Sequence, residues 1–418
     1  MQRHAQESGR ARQHHAVLAG VLAYVPRAQQ ARARHALAGG LHGVAVEALL
    51  AAAASLRLDG DFDAAATALD QAQGALEALG APDTDERACE VAILRCRLQS
   101  DRGDYGRHAR QAARVEQLAR AGGHDHLVAR ALRLQSVAAR NRGANDEAIE
   151  CLGAARLLFE AQGDVVGRIR CHSGLGVVFR TVGRPVEAWE ELQAALHLAQ
   201  DHGLMELRAS TLYSLAATAQ LKGDLELAEK TFRICVGASE AVGAQAGVAS
   251  CVNALGDLAR HRGQHEEAEA LYRRAIRLHE AIGSGSGDFP RLNLAILLLQ
   301  QGRDEEALAL LDPLARDLAH RGRRGLLGVV ELARAVPWVS RAGGGRWAER
   351  LARARDLLTR ANLVEPDVAV LGELAAARAE AHPLRAREAL TLAAEHWRAL
   401  GRGRDLARVQ AALKSLSG

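Results

Sequence analysis

Glycine rules this chain. Gly60, Gly103, Gly143, Gly183, Gly223, Gly263 and Gly302 follow one another at intervals of 43, 40, 40, 40, 40 and 39 residues. A second series, Gly80, Gly123, Gly163, Gly203, Gly243, Gly283 and Gly322, sits 20 residues after the first. Glycine at this spacing suits a string of helices, because a left-handed residue just past the last turn ends a helix cleanly. The interval leaves roughly 14–17 residues for each helix, or about 20–25 Å at 1.5 Å per residue.

The positions between the glycines keep the same beat. Alanine stands five residues after the turn glycine (Ala65, Ala148, Ala188, Ala228, Ala268, Ala307), and a small residue stands twelve after it (Ala72, Ala155, Ala195, Cys235, Ala275). Nine after it come larger side chains: Leu69, Leu152, Leu192, Phe232, Tyr272 and Leu311. Ahead of the glycine recur Leu175-Gly176, Leu215-Ala216, Leu255-Gly256 and Leu294-Ala295. Small residues at fixed points let two antiparallel helices approach, and large ones fill the gap to the next pair. Aromatics make up only 3% of the chain against 48% hydrophobic residues, so alanine and leucine must carry that packing. With only eight prolines among long Ala/Leu/Arg/Glu-rich stretches, the composition favours helix throughout.

The Leu-Gly pair, the turn glycine and the Ala–large–Ala series resemble the tetratricopeptide repeat over about residues 45–322. The match is weakest around Gly103, where the expected alanine is His108. The usual period is 34 residues and the period here is 40, a length that also suits HEAT or armadillo arrays. The Gly–x4–Ala–x6–Ala spacing favours tetratricopeptide repeats with both helices lengthened. Residues 252–283 look most like the long repeats of kinesin light chains and bacterial peptide-sensing regulators. The resemblance implies an all-α chain, an α-solenoid of antiparallel helix hairpins wound as a right-handed superhelix. Three segments are expected: an N-terminal helical segment (1–44), seven regular repeats (45–324), and degenerate repeats with a polar-faced capping helix (325–418). In the last, Gly343–Gly345 offer a turn, and Ala386 and Ala393 keep the seven-residue separation ahead of Gly401.

The N-terminal stretch carries "HAVLA" at 15–19 and "RHALAGG" at 34–40. It is similar to the segment that precedes the repeat array in bacterial serine/threonine kinases with ATPase modules and in activators of the maltose-regulator type. The catalytic parts of those families are absent: there is no GxxxxGK[ST] phosphate loop, no HRD and no DFG. The resemblance leaves two contexts open, an array that acts by itself and a sensor tail that acts on a signalling ATPase, kinase or transcription activator.

Other chemistry is sparse. The net charge is +4, with both signs interspersed rather than gathered in a basic patch, which argues against direct nucleic-acid binding. No basic-then-apolar leader and no apolar run of membrane length is present, and the six cysteines form no CxxC pair. The expectation is a cytoplasmic protein without cofactor. His261 and His265 are separated by a turn glycine, and His124-Asp125-His126 falls between repeats without further ligands nearby, so no metal site is expected. Most cysteines occupy places that want a small apolar residue. No nucleophile, base and orienting group recur together, so no enzyme is expected.

What remains is surface. In tetratricopeptide arrays the first helix of each pair faces the concave side, which implies exposed positions about 13, 10, 6 and 3 residues before each turn glycine. Those rows contain Arg130 and Arg170, then Arg133, Tyr213 and Asn253, then Asp257, then Arg140, Arg180 and Arg260, with Asn293 one step round. The groove so outlined is basic in its middle repeats and more apolar toward Leu292, Ile296 and Leu299. Arginines one repeat apart could receive successive carboxylates of an acidic peptide through bidentate pairs. The competing explanation for the last row is that a cation in a final helical turn favours the negative end of the helix dipole. Protein or peptide capture is thus the expected activity, with no membrane partner.

Overall fold

The computed structural model describes residues 2–25, 28–58, 61–101, 105–282, 287–341, 345–361, 363, 365–379 and 381–416. Gly60, Gly103, Gly283, Gly343 and Gly344 lie outside them. Among the described residues there are 21 α-helices and two short 3-10 turns, with no strand, and no helix is long and apolar enough to cross a membrane.

The chain divides into two compact units, Met1–Leu207 and Arg208–Gly418. The first is built from α1 (Gln2–Val21), α2 (Gln29–Ala38), α3 (His42–Leu58), α4 (Phe62–Ala78), α5 (Glu86–Asp101), α6 (Tyr105–Ala121), α7 (Asp125–Asn141), α8 (Asn145–Ala161), α9 (Val165–Thr181) and α10 (Pro185–Asp201). The second holds most of α11 (Met205–Lys222), then α12 (Leu225–Ala241), α13 (Gln245–His261), α14 (His265–Ala281), α15 (Asp288–Gln300) and α16 (Asp304–His320). It ends with α17 (Arg324–Ala335), α18 (Gly345–Ala361), α19 (Pro366–Arg378), α20 (Pro383–Ala399) and α21 (Gly403–Ser415).

Every described glycine of the two series has a positive φ, between 64° at Gly203 and 83° at Gly223, so each hairpin turns where the sequence places a residue without Cβ. Starts are marked as clearly as stops. Asp61, Asp164 and Asp224 cap their helices by accepting from the backbone N–H three residues on, at 3.0, 2.8 and 3.0 Å. Most helices run 17 residues, the upper end of the expected length.

The small-residue positions are where antiparallel helices meet. Ala148, Ala188, Ala228 and Ala268 are fully buried, as are Leu192 and Tyr272 at the large position between the alanines. Cys235 fills the second small position, and Cys171 and Cys251 are buried in the same way. Ala228→Leu should therefore lower stability by about 1–3 kcal/mol, because added methylenes have no space between the helices. Urea unfolding checks this, with the exposed Leu157→Ala, at 63% exposure, as a control expected to change little.

Within each unit, the first helices of successive hairpins lie against one another: α3 with α5, α5 with α7 and α7 with α9, then α13 with α15, α15 with α17 and α17 with α19. The second helices make no comparable contact among the described residues. The first helices thus form an inner face in each unit.

In the second unit that face is not open where it was expected to be apolar. Leu292, Ile296 and Leu299 are buried at 2%, 0% and 0% exposure, in one core with Val368 and Leu371 of α19. Every residue from Leu292 to Leu299 is buried, so α15 is enclosed on all sides, as a helix apolar all round must be. Arg378 of α19 closes over its end, donating to the Leu299 carbonyl and pairing with Asp304 at 2.7 Å. The last helix, α21, is amphipathic: it buries Val409 and leaves most of its length in solvent.

Candidate binding faces on the inner helices

The inner face of the first unit is lined with arginines from three successive first helices. Arg97 comes from α5, Arg130, Arg133 and Arg140 from α7, and Arg170 and Arg180 from α9. Their partners differ. Arg130 is spanned by both carboxylate oxygens of Glu90, one repeat earlier, with Nη2 at 2.8 Å from Oε2. Arg57 of α3 meets Asp101 at 2.7 Å. Arg97, Arg133 and Arg170 have no carboxylate partner among the described residues and line one open recess with Arg57, Ser100 and Asp101. Burial, then the charges of Arg133, Arg130, Arg57 and Arg170, push the Arg97 guanidinium down to about 10. Burial and then Arg170 lower Arg133. Arg140 and Arg180 stand in the last turns of α7 and α9, half-buried, where the helix dipole favours a cation.

The second unit gathers the remaining candidates into a different arrangement. Asn253, Asp257 and Arg260 share one face of α13, and Asn293 of α15 donates to Asn253 Oδ1 at 3.2 Å and to Asp257 Oδ1 at 3.0 Å. The Tyr272 hydroxyl donates to Asp257 at 2.7 Å and accepts from Arg260 Nε at 3.2 Å. Arg260, its side chain only 8% exposed, faces Asp367 of α19 at 3.8 Å. A Cβ on Gly256 would come within 2.7 Å of the Tyr272 ring, so the Leu-Gly pair of this repeat makes room for the ring that carries these bonds. Arg260 and Asn293 are thus internal cross-links between α13, α14, α15 and α19. Sequence reading placed them in a groove because it had no means of seeing α19.

Charge in this cluster is heavily acidic for its burial. Burial pushes Asp257 up to about 6 against the pull of Arg260 and Tyr272. Burial and then Asp367 push Glu365 up to about 7. Asp367, whose side chain keeps 31% exposure, is also raised by burial, while Arg260 and His261 oppose. Burial opposes the charge on Arg260, and Tyr272, Asp257 and Asp367 outweigh it and hold that charge on.

The last candidate, Tyr213 of α11, is half-buried and meets Phe232 edge-on at 5.6 Å between centroids. Arg97 was missed by the sequence rows. It stands six residues before Gly103, where other repeats carry Val137, Val177 and Ala217, so nothing recurs. The signal that finds it is diagonal: 97, 133 and 170 are 36 and 37 residues apart, one helical turn short of the repeat each time. Among the described residues no three His, Cys, Asp or Glu side chains are grouped as a metal would require.

Residues 207–281 match the family model described as tetratricopeptide repeat. No curated protein matches the chain. Among solved structures, a Rap protein complexed with Competence and Sporulation Factor has a TM-score of 0.59 at 13% identity, covering 89% of this chain and 97% of that one. The Rap conjugation gene regulator of plasmid pLS20 in complex with the Phr* peptide has a TM-score of 0.58 at 14% identity, covering 85% and 96%. Aspartyl phosphate phosphatase F from Bacillus subtilis has a TM-score of 0.52 at 13% identity, covering 64% and 70%. At these identities the likeness is one of fold. The chain is an array of long tetratricopeptide-like repeats.

Proposed function

We propose that this array is a non-catalytic binding module that captures a segment of a protein or a peptide and serves a regulator. The observation that carries the reading is the set of inner-face arginines in the first unit without a carboxylate partner among the described residues: Arg97 and Arg133, both half-buried, and the exposed Arg170. Guanidiniums that lose water on burial without gaining a counter-ion are held at a cost, and an incoming anion offsets it. The segment they suit is acidic and lies across α5, α7 and α9. Two structures of the same fold, by name, hold Competence and Sporulation Factor and the Phr* peptide, which supports capture of a short chain. A third is named a phosphatase. The recess of this chain offers guanidiniums, while the nearby Cys171 thiol is pushed up to about 11 by burial and so stays protonated, which argues for binding over catalysis.

The test is fluorescence anisotropy of the full chain with a labelled ten-residue peptide of alternating Asp and Gly. Binding should appear at low salt, weaken steeply as salt rises, and fall about tenfold or more in Arg133→Glu/Arg170→Glu. Equal affinity for the same peptide with Lys in place of Asp would rule the reading out.

A further inference from the structure

Two buried acids elsewhere in this chain show how a charge that leaves water is matched. Buried Glu331 is held by Arg334 and Arg350 at 3.0 and 2.9 Å, and buried Asp288 by Arg321 at 2.9 Å. Arg97 and Arg133, both half-buried, have no such carboxylate partner among the described residues, and with the exposed Arg170 they line an open recess of about 280 Å³. Two acids of α5 are already engaged: Asp101, which lines the recess, by Arg57, and Glu90 by Arg130. The diagonal spacing brings three guanidiniums from three helices to one recess.

We propose that this recess is a receptor for a single compact oxyanion of about two negative charges, a phosphoryl group. The proposal deepens the reading of the inner face as a binding surface, and rests on it. One carboxylate brings one charge and two oxygens, which suits one guanidinium fork and leaves two cations unanswered. A phosphoryl group brings about −1.5 to −2 charge and three acceptor oxygens, one for each arginine. The recess, of about 280 Å³ and open to solvent, has room for such a group. The phosphoryl group can arrive on a modified side chain of a bound segment or on a free phosphate-bearing molecule.

Calorimetry and thermal unfolding of the full chain at low salt separate these cases. The probes are inorganic pyrophosphate and a short alanine-based peptide carrying one phosphoserine, glutamate or serine. Pyrophosphate should bind at one site and raise Tm. Arg97→Gln/Arg133→Gln/Arg170→Gln should weaken it by about tenfold or more, since charge-assisted contacts are lost. Arg277→Gln/Arg316→Gln/Arg404→Gln, which removes the same charge from exposed positions elsewhere, should leave it nearly unchanged. The first variant should itself melt no lower than wild type, because it relieves repulsion among like charges. A phosphoserine peptide bound more tightly than pyrophosphate identifies a modified segment as the source, and one bound no more tightly identifies a free phosphate-bearing molecule. Equal weakening by both triple variants, or no binding of pyrophosphate to wild type, overturns the proposal. A glutamate peptide bound as well as the phosphoserine peptide also overturns it, while leaving the acidic-segment reading standing.

Discussion

Arg260→Ala is expected to destabilise the unit 208–418 by about 2–4 kcal/mol at neutral pH and by clearly less at pH 5. Arg260 is the cation that faces both Asp257 and Asp367, and its Nε donates to the Tyr272 hydroxyl that in turn donates to Asp257. Removing it leaves two carboxylates in a poorly hydrated site. Their alternative to staying charged is to bind protons, and Asp257 already stands at about 6 with its cation present. Proton uptake costs less as pH falls, so the damage shrinks under acid conditions. Loss of a merely space-filling side chain would be independent of pH in this range. Urea unfolding of wild type and variant at pH 5 and pH 7.5, followed by far-UV circular dichroism, gives both numbers. An equal loss at the two pH values would mean that Arg260 acts through packing alone. The same geometry explains why a charge reversal aimed at the groove should leave Arg260 untouched: reversing it breaks the fold, whatever it does to binding.

Glu365→Gln is expected to stabilise the protein at pH 7.5 and to be nearly neutral at pH 5. Burial and then the Asp367 charge hold the Glu365 carboxyl up at about 7 in the folded chain, against an ordinary value near 4.3. Between those values the folded form holds a proton that the unfolded chain has released, so the wild type loses stability as pH rises from about 4 to about 7, then loses no more. A glutamine stays neutral throughout and escapes that loss. The gain should build at up to about 1.4 kcal/mol per pH unit, and solvent reaching a half-buried group reduces it to about 2 kcal/mol in all. The histidines His108, His261, His279 and His396, all held below their ordinary value chiefly by desolvation, favour higher pH and so bend the raw curve the other way. They are common to both proteins and cancel in the difference. The quantity to read is therefore Tm of the variant minus Tm of wild type across pH 5 to 8. A flat difference would contradict the placement of Glu365.

The repeat was legible because its determinants are local and recur. The turn glycines dictate where each helix stops, and Ala188, Ala228 and Ala268 dictate which faces meet, through contacts made within one hairpin or with the next. Arg133 and Arg170 were legible for the same reason, since position in the repeat predicts the inner face. The rest depended on contacts that no period encodes. Leu292, Ile296 and Leu299 hold inner-face positions yet are covered, because the degenerate hairpins after residue 324 bring α17 and α19 onto α15. Asp367 and Glu365 meet α13 and α20 from a segment whose glycine ruler has lapsed, which put the acid cluster beyond reach of pattern reading. Arg130 stands between the two cases. Its neighbour one repeat back, Glu90, satisfies it, and the 40-residue interval between them was visible all along.

The central claim is that a partner lies on the inner face of α5, α7 and α9, and arginine footprinting tests it most directly. The full chain is treated with an arginine-selective dicarbonyl reagent, with and without the acidic peptide, and each site is read by mass spectrometry. The account predicts that Arg97, Arg133 and Arg170 react in the free chain and are protected together by the peptide, while the exposed Arg277 and Arg316 keep their reactivity. Peptide binding with those three arginines still open to the reagent would contradict it.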